Sequence, residues 1–110
     1  MTPPKDIPDD PIAVMRVAFA HLENGAHADA EACSRRALQL APGDLDAATM
    51  LGLALQGQAK HVEASAVWDD LTRRDPSRLL AWANFGTSLR AQRRFDDALM
   101  AYARAAALGA

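Results

Sequence analysis

One interval of 34 residues governs this chain. Ala18, Gly52 and Gly86 fall on it, as do Ala30, Ala64 and Ala98, and Ala37, Leu71 and Ala105. Pro42 and Pro76 close the first two units. A fixed period of this size marks a stacked-repeat architecture, in which each unit buries its apolar face against its neighbours. Such stacks usually bind something along a curved inner surface, so the period points to a binder more than to a catalyst.

Within each unit the apolar residues follow helical spacing. Val14, Val17, Ala18 and His21 form an i, i+3, i+4, i+7 set, repeated by Ala48, Leu51, Gly52 and Leu55 and by Trp82, Phe85, Gly86 and Leu89. Half the residues are apolar, many of them alanine, and β-branched residues are few, so the chain is expected to be all-α. Asp10 before Pro11 signals a helix start, and Asn24-Gly25 a stop. The second helix is expected from Ala28 to Leu40, broken by Pro42-Gly43, with Asp44 capping the next. Leu45 to Gln56 follows, interrupted by Gly57, then Val62 to Arg74, ended by Asp75-Pro76. Ser77 or Arg78 precedes the third pair, Leu79 to Ala91 and Phe95 to Leu108. Residues 1–10 are rich in Pro and Asp and read as an extended lead. Residues 11–110 then form one domain of three units, 11–44, 45–78 and 79–110.

Charge excludes more than it selects. Twelve basic against fourteen acidic residues give a net −2, with no basic excess to suggest nucleic acid. Residues 1–44 carry four basic and seven acidic groups, and residues 79–110 carry four and two. Such a gradient can orient a partner or favour head-to-tail contact between copies, and it can equally be incidental. The single cysteine, Cys33, allows no intrachain disulfide. Met1 to Pro11 lacks the apolar core of a signal peptide, and no run approaches membrane-spanning length. The expectation is a cytoplasmic protein.

With these residues in register, the chain resembles the tetratricopeptide repeat family. The family pattern runs Trp, Leu-Gly, Leu or Tyr, Ala, an aromatic, Ala and Pro. The third unit supplies Trp82, Phe85-Gly86, Leu89, Ala98, Tyr102 and Ala105. The second supplies Ala48, Leu51-Gly52, Leu55, Ala64, Trp68, Leu71 and Pro76. The first supplies Val14, Val17-Ala18, His21, Ala30, Ser34, Ala37 and Pro42, and departs most, lacking the large residue, the glycine and the aromatic. The resemblance implies a right-handed superhelical solenoid of three antiparallel helix pairs. Ala18, Gly52 and Gly86 are expected where paired helices cross, faced by Ala30, Ala64 and Ala98. Trp68, Trp82, Phe85, Phe95 and Tyr102 read as core filler between helices.

No chemistry stands out. His27 and His61 are 34 apart, with Phe95 at the same place in the third unit, which suits a ring packed in the inter-helix corner. His21 falls on the inner packing face, and no His, Cys and carboxylate set has metal-ligand spacing, so neither metal nor cofactor is expected. Cys33 falls mid-helix among alanines, as an inert thiol would. Asp69-Asp70 and Asp96-Asp97 are adjacent and so diverge on a helix. No phosphate loop and no nucleophile elbow is present. No catalytic residue is assigned.

The resemblance also implies a concave groove lined by the first helix of each pair. Its residues are Ile12, Met15, Phe19, Leu22 and Glu23, then Asp46, Thr49, Leu53, Gln56 and Gly57, then Leu80, Ala83, Thr87, Arg90 and Ala91. Met15 and Phe19 stand where family members that grip a chaperone's C-terminal carboxylate carry Lys and Asn, so that clamp is missing. The expected ligand is an apolar peptide or amphipathic helix, unless residues 1–10 or another copy cover the strip. Leu99, Tyr102 and Ala106 on the last helix would face a following helix. The expectations there are a truncated longer protein, a homodimer, or a tolerated exposed face. The leading functional reading is a protein–protein interaction scaffold. The alternatives are a small bacterial export chaperone of the type III secretion kind, and an N-terminal targeting domain of a larger enzyme.

Overall fold

The computed structural model describes residues 9–110 and places six α-helices in them. They are α1 (Pro11–Glu23), α2 (His27–Leu40), α3 (Leu45–Gly57), α4 (His61–Arg74), α5 (Leu79–Ala91) and α6 (Phe95–Gly109). The lead expected over residues 1–10 lies outside the described residues except for Asp9 and Asp10. Asp10 caps α1, its carboxylate accepting the Ala13 N–H at 3.0 Å. Asp44 caps α3 in the same way, accepting from the N–H groups of Asp46 and Ala47. Arg78, not Ser77, is the N-cap of α5, and its side chain makes no capping bond.

Each pair turns on one left-handed residue. Gly25, Ala59 and Arg93 have φ of 73°, 60° and 61°, and they too are 34 residues apart. Around them the N–H of Ala26, Lys60 and Arg94 bonds back to the carbonyl of His21, Leu55 and Leu89. This is the six-to-one bond of a Schellman ending. Gly57 does not interrupt its helix but closes it. Its glycine is needed elsewhere: a Cβ there would collide with the His27 ring of the preceding unit. His27 and His61 each open their helix with a ring whose Nδ1 is buried and unpaired.

Consecutive helices pack on one another from α1 to α6. The first helices of the units also touch, α1 with α3 and α3 with α5. The backbones of the second helices α2, α4 and α6 stand farther apart, and α2 meets α4 through side chains, Arg35 lying 3.7 Å from Glu63. The stack is therefore curved, with α1, α3 and α5 on the inside, and the described chain extends 44 × 24 × 20 Å.

The core runs through it as three linked clusters. Val14, Ala18, Cys33, Ala37 and Ala47 fill the first. Leu51, Leu55, Trp68, Leu71 and Ala81 lead the second, and Leu89, Ala98 and Ala101 the third.

The close approach at the glycines is ring to backbone. The nearest atoms to a Cβ at Gly52 would belong to the Trp68 indole, at 2.6–2.8 Å, and at Gly86 to the Tyr102 ring, from 2.8 Å. In the first unit Ala18 and Ser34 take these two places, and both are fully buried. The alanines expected opposite the glycines are buried too, but in the second and third units the rings set the limit. Not every aromatic is core. Trp68 is inaccessible, Trp82 and Phe85 are half-buried, and Phe95 is 56% exposed. Phe95 is therefore not the core filler its register position suggests.

Candidate functional site

Curvature makes α1 and α3 the walls of an inner cleft. Helical spacing aligns Ile12, Met15 and Phe19 on one face of α1, with Leu22 one turn on. Together with Ala20, Met50 and Leu53 they line two overlapping hollows of about 650 and 470 Å³. Ile12 is 64% exposed and Phe19 54%. Thr49 joins the lining, and Arg16, Glu23, Asp44 and Asp46 edge it. Met50, absent from the groove expected on sequence, is brought in because its place on α3 faces α1 across the contact between them.

The polar positions are tied into the scaffold. Arg78 at the head of α5 reaches back to Asp46 at 3.0 Å and to the Thr49 hydroxyl at 3.4 Å. It also pairs with Asp75 at 2.9 Å, and these two carboxylates hold the guanidinium above its usual range. Gln56 is half-buried; its Oε1 accepts from the Trp68 indole N–H at 2.9 Å and from Ser88 at 3.2 Å, and its amide donates to Asn84. Thr87 bonds the Ala83 carbonyl and meets the Tyr102 hydroxyl at 3.0 Å. Ala83, Thr87 and Arg90 do not line the α1/α3 hollows, and Arg90 is exposed on α5. Gln56 thus works first as a strut between the second and third units, and Thr87 as one between the two helices of the third.

A separate tie, outside the small-residue positions of the repeat, joins the first two units. Glu31 on α2 accepts from Gln58 at 2.8 Å, from Arg35 at 2.9 Å and from Lys60 at 3.0 Å. These bonds, led by Gln58 and then Arg35, hold its carboxyl down at about 2 against an ordinary 4.5. Gln92 makes the corresponding tie in the next joint, donating to Ser65 at 2.9 Å and to the His61 carbonyl at 3.1 Å. The signal was present in the sequence as Gln58 and Gln92, 34 residues apart.

On the outer side, where α4 and α6 stand apart over α5, lies a smaller hollow of about 280 Å³. Trp82, Phe85 and Met100 line it, and Arg104 stands 5.8 Å above the Trp82 ring. The Trp82 indole donates to the Pro76 carbonyl, so this ring is anchored to the turn. Leu99 and Ala106 are exposed on α6, while the Tyr102 ring lies half-buried against Gly86. Among the described residues no helix is long and apolar enough to cross a membrane, and no group of three His, Cys, Asp or Glu side chains could hold a metal ion.

No family model matches the sequence, and no curated protein matches it. Solved structures do. MamA AMB-1 superposes with a TM-score of 0.81 at 24% identity, covering 90% of this chain and 54% of that one. MamA MSR-1 gives a TM-score of 0.85 at 16% identity, covering 94% of this chain and 60% of that one. A further MamA structure gives 0.84 at 19% identity, covering 92% and 59%. The chain thus spans little more than half the length of the structures it matches. Six helices in a 34-residue register and these superpositions agree: the chain has a tetratricopeptide-like helical-repeat fold.

Proposed function

We propose that this chain is a protein-binding scaffold that holds an apolar peptide or amphipathic helix in the cleft between α1 and α3. The observation that carries the reading is the exposed apolar lining of that cleft, Ile12, Met15 and Phe19 facing Met50 and Leu53. A contiguous apolar strip lining a hollow favours docking, and methionine adapts to side chains of varied shape. An amphipathic helix presents the matching i, i+3, i+4, i+7 anchors. The reading assigns the chain no reaction of its own. It places the module in the cytoplasm, a compartment that suits a chain with one cysteine, Cys33, and so no intrachain disulfide.

The test compares two charge insertions at exposed phenylalanines. Partner protein captured by the parent should also be captured by Phe95→Glu and lost with Phe19→Glu. Capture that survives Phe19→Glu removes the cleft from the reading.

A further inference from the structure

The apolar lining of the cleft does not distinguish one apolar segment from another, but its charged edge does. Glu23 of α1 and Asp46 of α3 border both hollows, on opposite walls, and Asp44 borders one of them. Arg16 is the one cation in either lining. Asp46 is partly answered by Arg78, but that guanidinium is shared with Asp75, so the three together keep a negative charge. The edge as a whole is acidic, three negative charges against Arg16.

The scaffold does not account for the acid on α1. Glu23 is the last residue of its helix, where the helix dipole disfavours a carboxylate. It is exposed, and its side chain makes no ion pair or hydrogen bond among the described residues. The corresponding positions of the next two units hold Gly57 and Ala91, so the repeat requires no charge there. Asp46 likewise stands where the other units hold Ile12 and Leu80. Two carboxylates particular to this cleft thus stand on either side of its apolar floor.

We infer, resting on the reading of the cleft as a docking site, that its occupant is a basic amphipathic helix, its apolar stripe bordered on both sides by Lys or Arg. Such a helix laid between α1 and α3 puts its anchors against Met15, Phe19 and Met50 and one border of its stripe along each wall. Lys and Arg lie along apolar surface while their charged ends reach outward, so a cation on one border meets Glu23 and a cation on the other meets Asp46. Opposite charges at the edge of a contact speed the right partner's arrival, and like charges reject the wrong one. The chain's own residues 1–10 hold Asp6, Asp9 and Asp10 against Lys5, the wrong sign for this edge.

Two synthetic peptides of about 18 residues, long enough to be helical, test the sign. Both carry leucines at i, i+3, i+4 and i+7 spacing; one has lysines along both borders of that stripe, the other glutamates. In calorimetric titrations at low salt the lysine peptide should bind the parent about fivefold more tightly or better, the gap narrowing as salt is raised. Glu23→Gln should reduce this preference, and Glu23→Lys should abolish or reverse it. Asp96→Asn, the same loss of charge at an exposed site on α6, should leave it as in the parent. Phe19→Ser should lose both peptides. Phe19, Glu23 and Asp96 are exposed, so each variant should keep the parent's helical circular dichroism. Equal binding of both peptides, or a preference for the glutamate peptide, lost with Phe19→Ser, leaves the cleft as a docking site and overturns its basic partner. Binding of neither peptide overturns the amphipathic-helix reading of the cleft and this inference with it. A lysine preference that survives Phe19→Ser, or that Asp96→Asn lowers as much as Glu23→Gln does, marks attraction by overall charge and overturns the inference.

Discussion

Gly52 and Gly86 occupy one register position, yet the rings above them are held differently. Trp68 is fully buried, its N–H fixed by Gln56, whereas Tyr102 keeps one side open. A methyl at Gly52 must displace a fully buried indole at 2.6 Å, while at Gly86 it must turn a half-buried phenol at 2.8 Å off its bond to Thr87. Replacing a mid-helix glycine by alanine gains up to about 1 kcal/mol of helix propensity in either case. Gly52→Ala should therefore cost about 1–3 kcal/mol net through overpacking, and Gly86→Ala should cost less, because the half-buried phenol has open space to turn into. Urea unfolding of the two variants measures the contrast; equal losses would contradict it. The periodicity shows where a small residue recurs. It does not show which side chain crosses to meet it, because that partner lies on another helix. Reading Ala64 and Ala98 as the partners missed the rings for this reason.

At the scale of the helix, the sequence is legible at the starts of the first helices and the stops of the second, and less so at the turn inside each pair, where α2 and α4 begin one residue earlier than expected, at His27 and His61. Asp10 and Asp44 are N-caps as their residue type suggests, and the bounds of α5 agree with expectation. The ends of α1, α3 and α5 are set by left-handed residues, and only Gly25 of the three announces itself. Ala59 and Arg93 carry the same backbone with a Cβ, which costs about 1–2 kcal/mol relative to the right-handed region. Ala59→Gly should stabilise the chain by about 0.5–1 kcal/mol, seen as a higher urea midpoint at unchanged slope. Gly57 was misread as the break because a glycine near a helix end usually is one. Here it makes room for His27 instead. The groove was legible on α1, where apolar residues stand unpaired in a polar neighbourhood. On α3 and α5 it was less so, because Gln56 and Thr87 look like surface residues and are consumed by Trp68 and Tyr102.

For the whole molecule, stability depends on how firmly neighbouring units are joined, since each touches only the next. Glu31 is a principal polar tie of the first joint, and its carboxyl is depressed from 4.5 to about 2. A carboxyl depressed in the folded state contributes stability that is present above its unfolded value and is lost as pH falls through the folded one. The melting temperature should thus fall as pH drops from about 4.5 towards 2, with that decline shallower in Glu31→Gln. At neutral pH Glu31→Gln should cost about 1–2 kcal/mol, less than the full shift because Arg35 and Lys60 are partly hydrated. An unchanged acid profile in the variant would shift that role to other carboxylates.

The inner helices approach backbone to backbone, while the outer ones are farther apart. In mechanical terms the neutral axis of this molecule runs along its inner wall. Flexing would open and close the outer gaps far more than it changes the width of the cleft. Trp82 stands in one such gap beneath Arg104. The chain so carries a fluorescent strain gauge on the side turned away from whatever it holds.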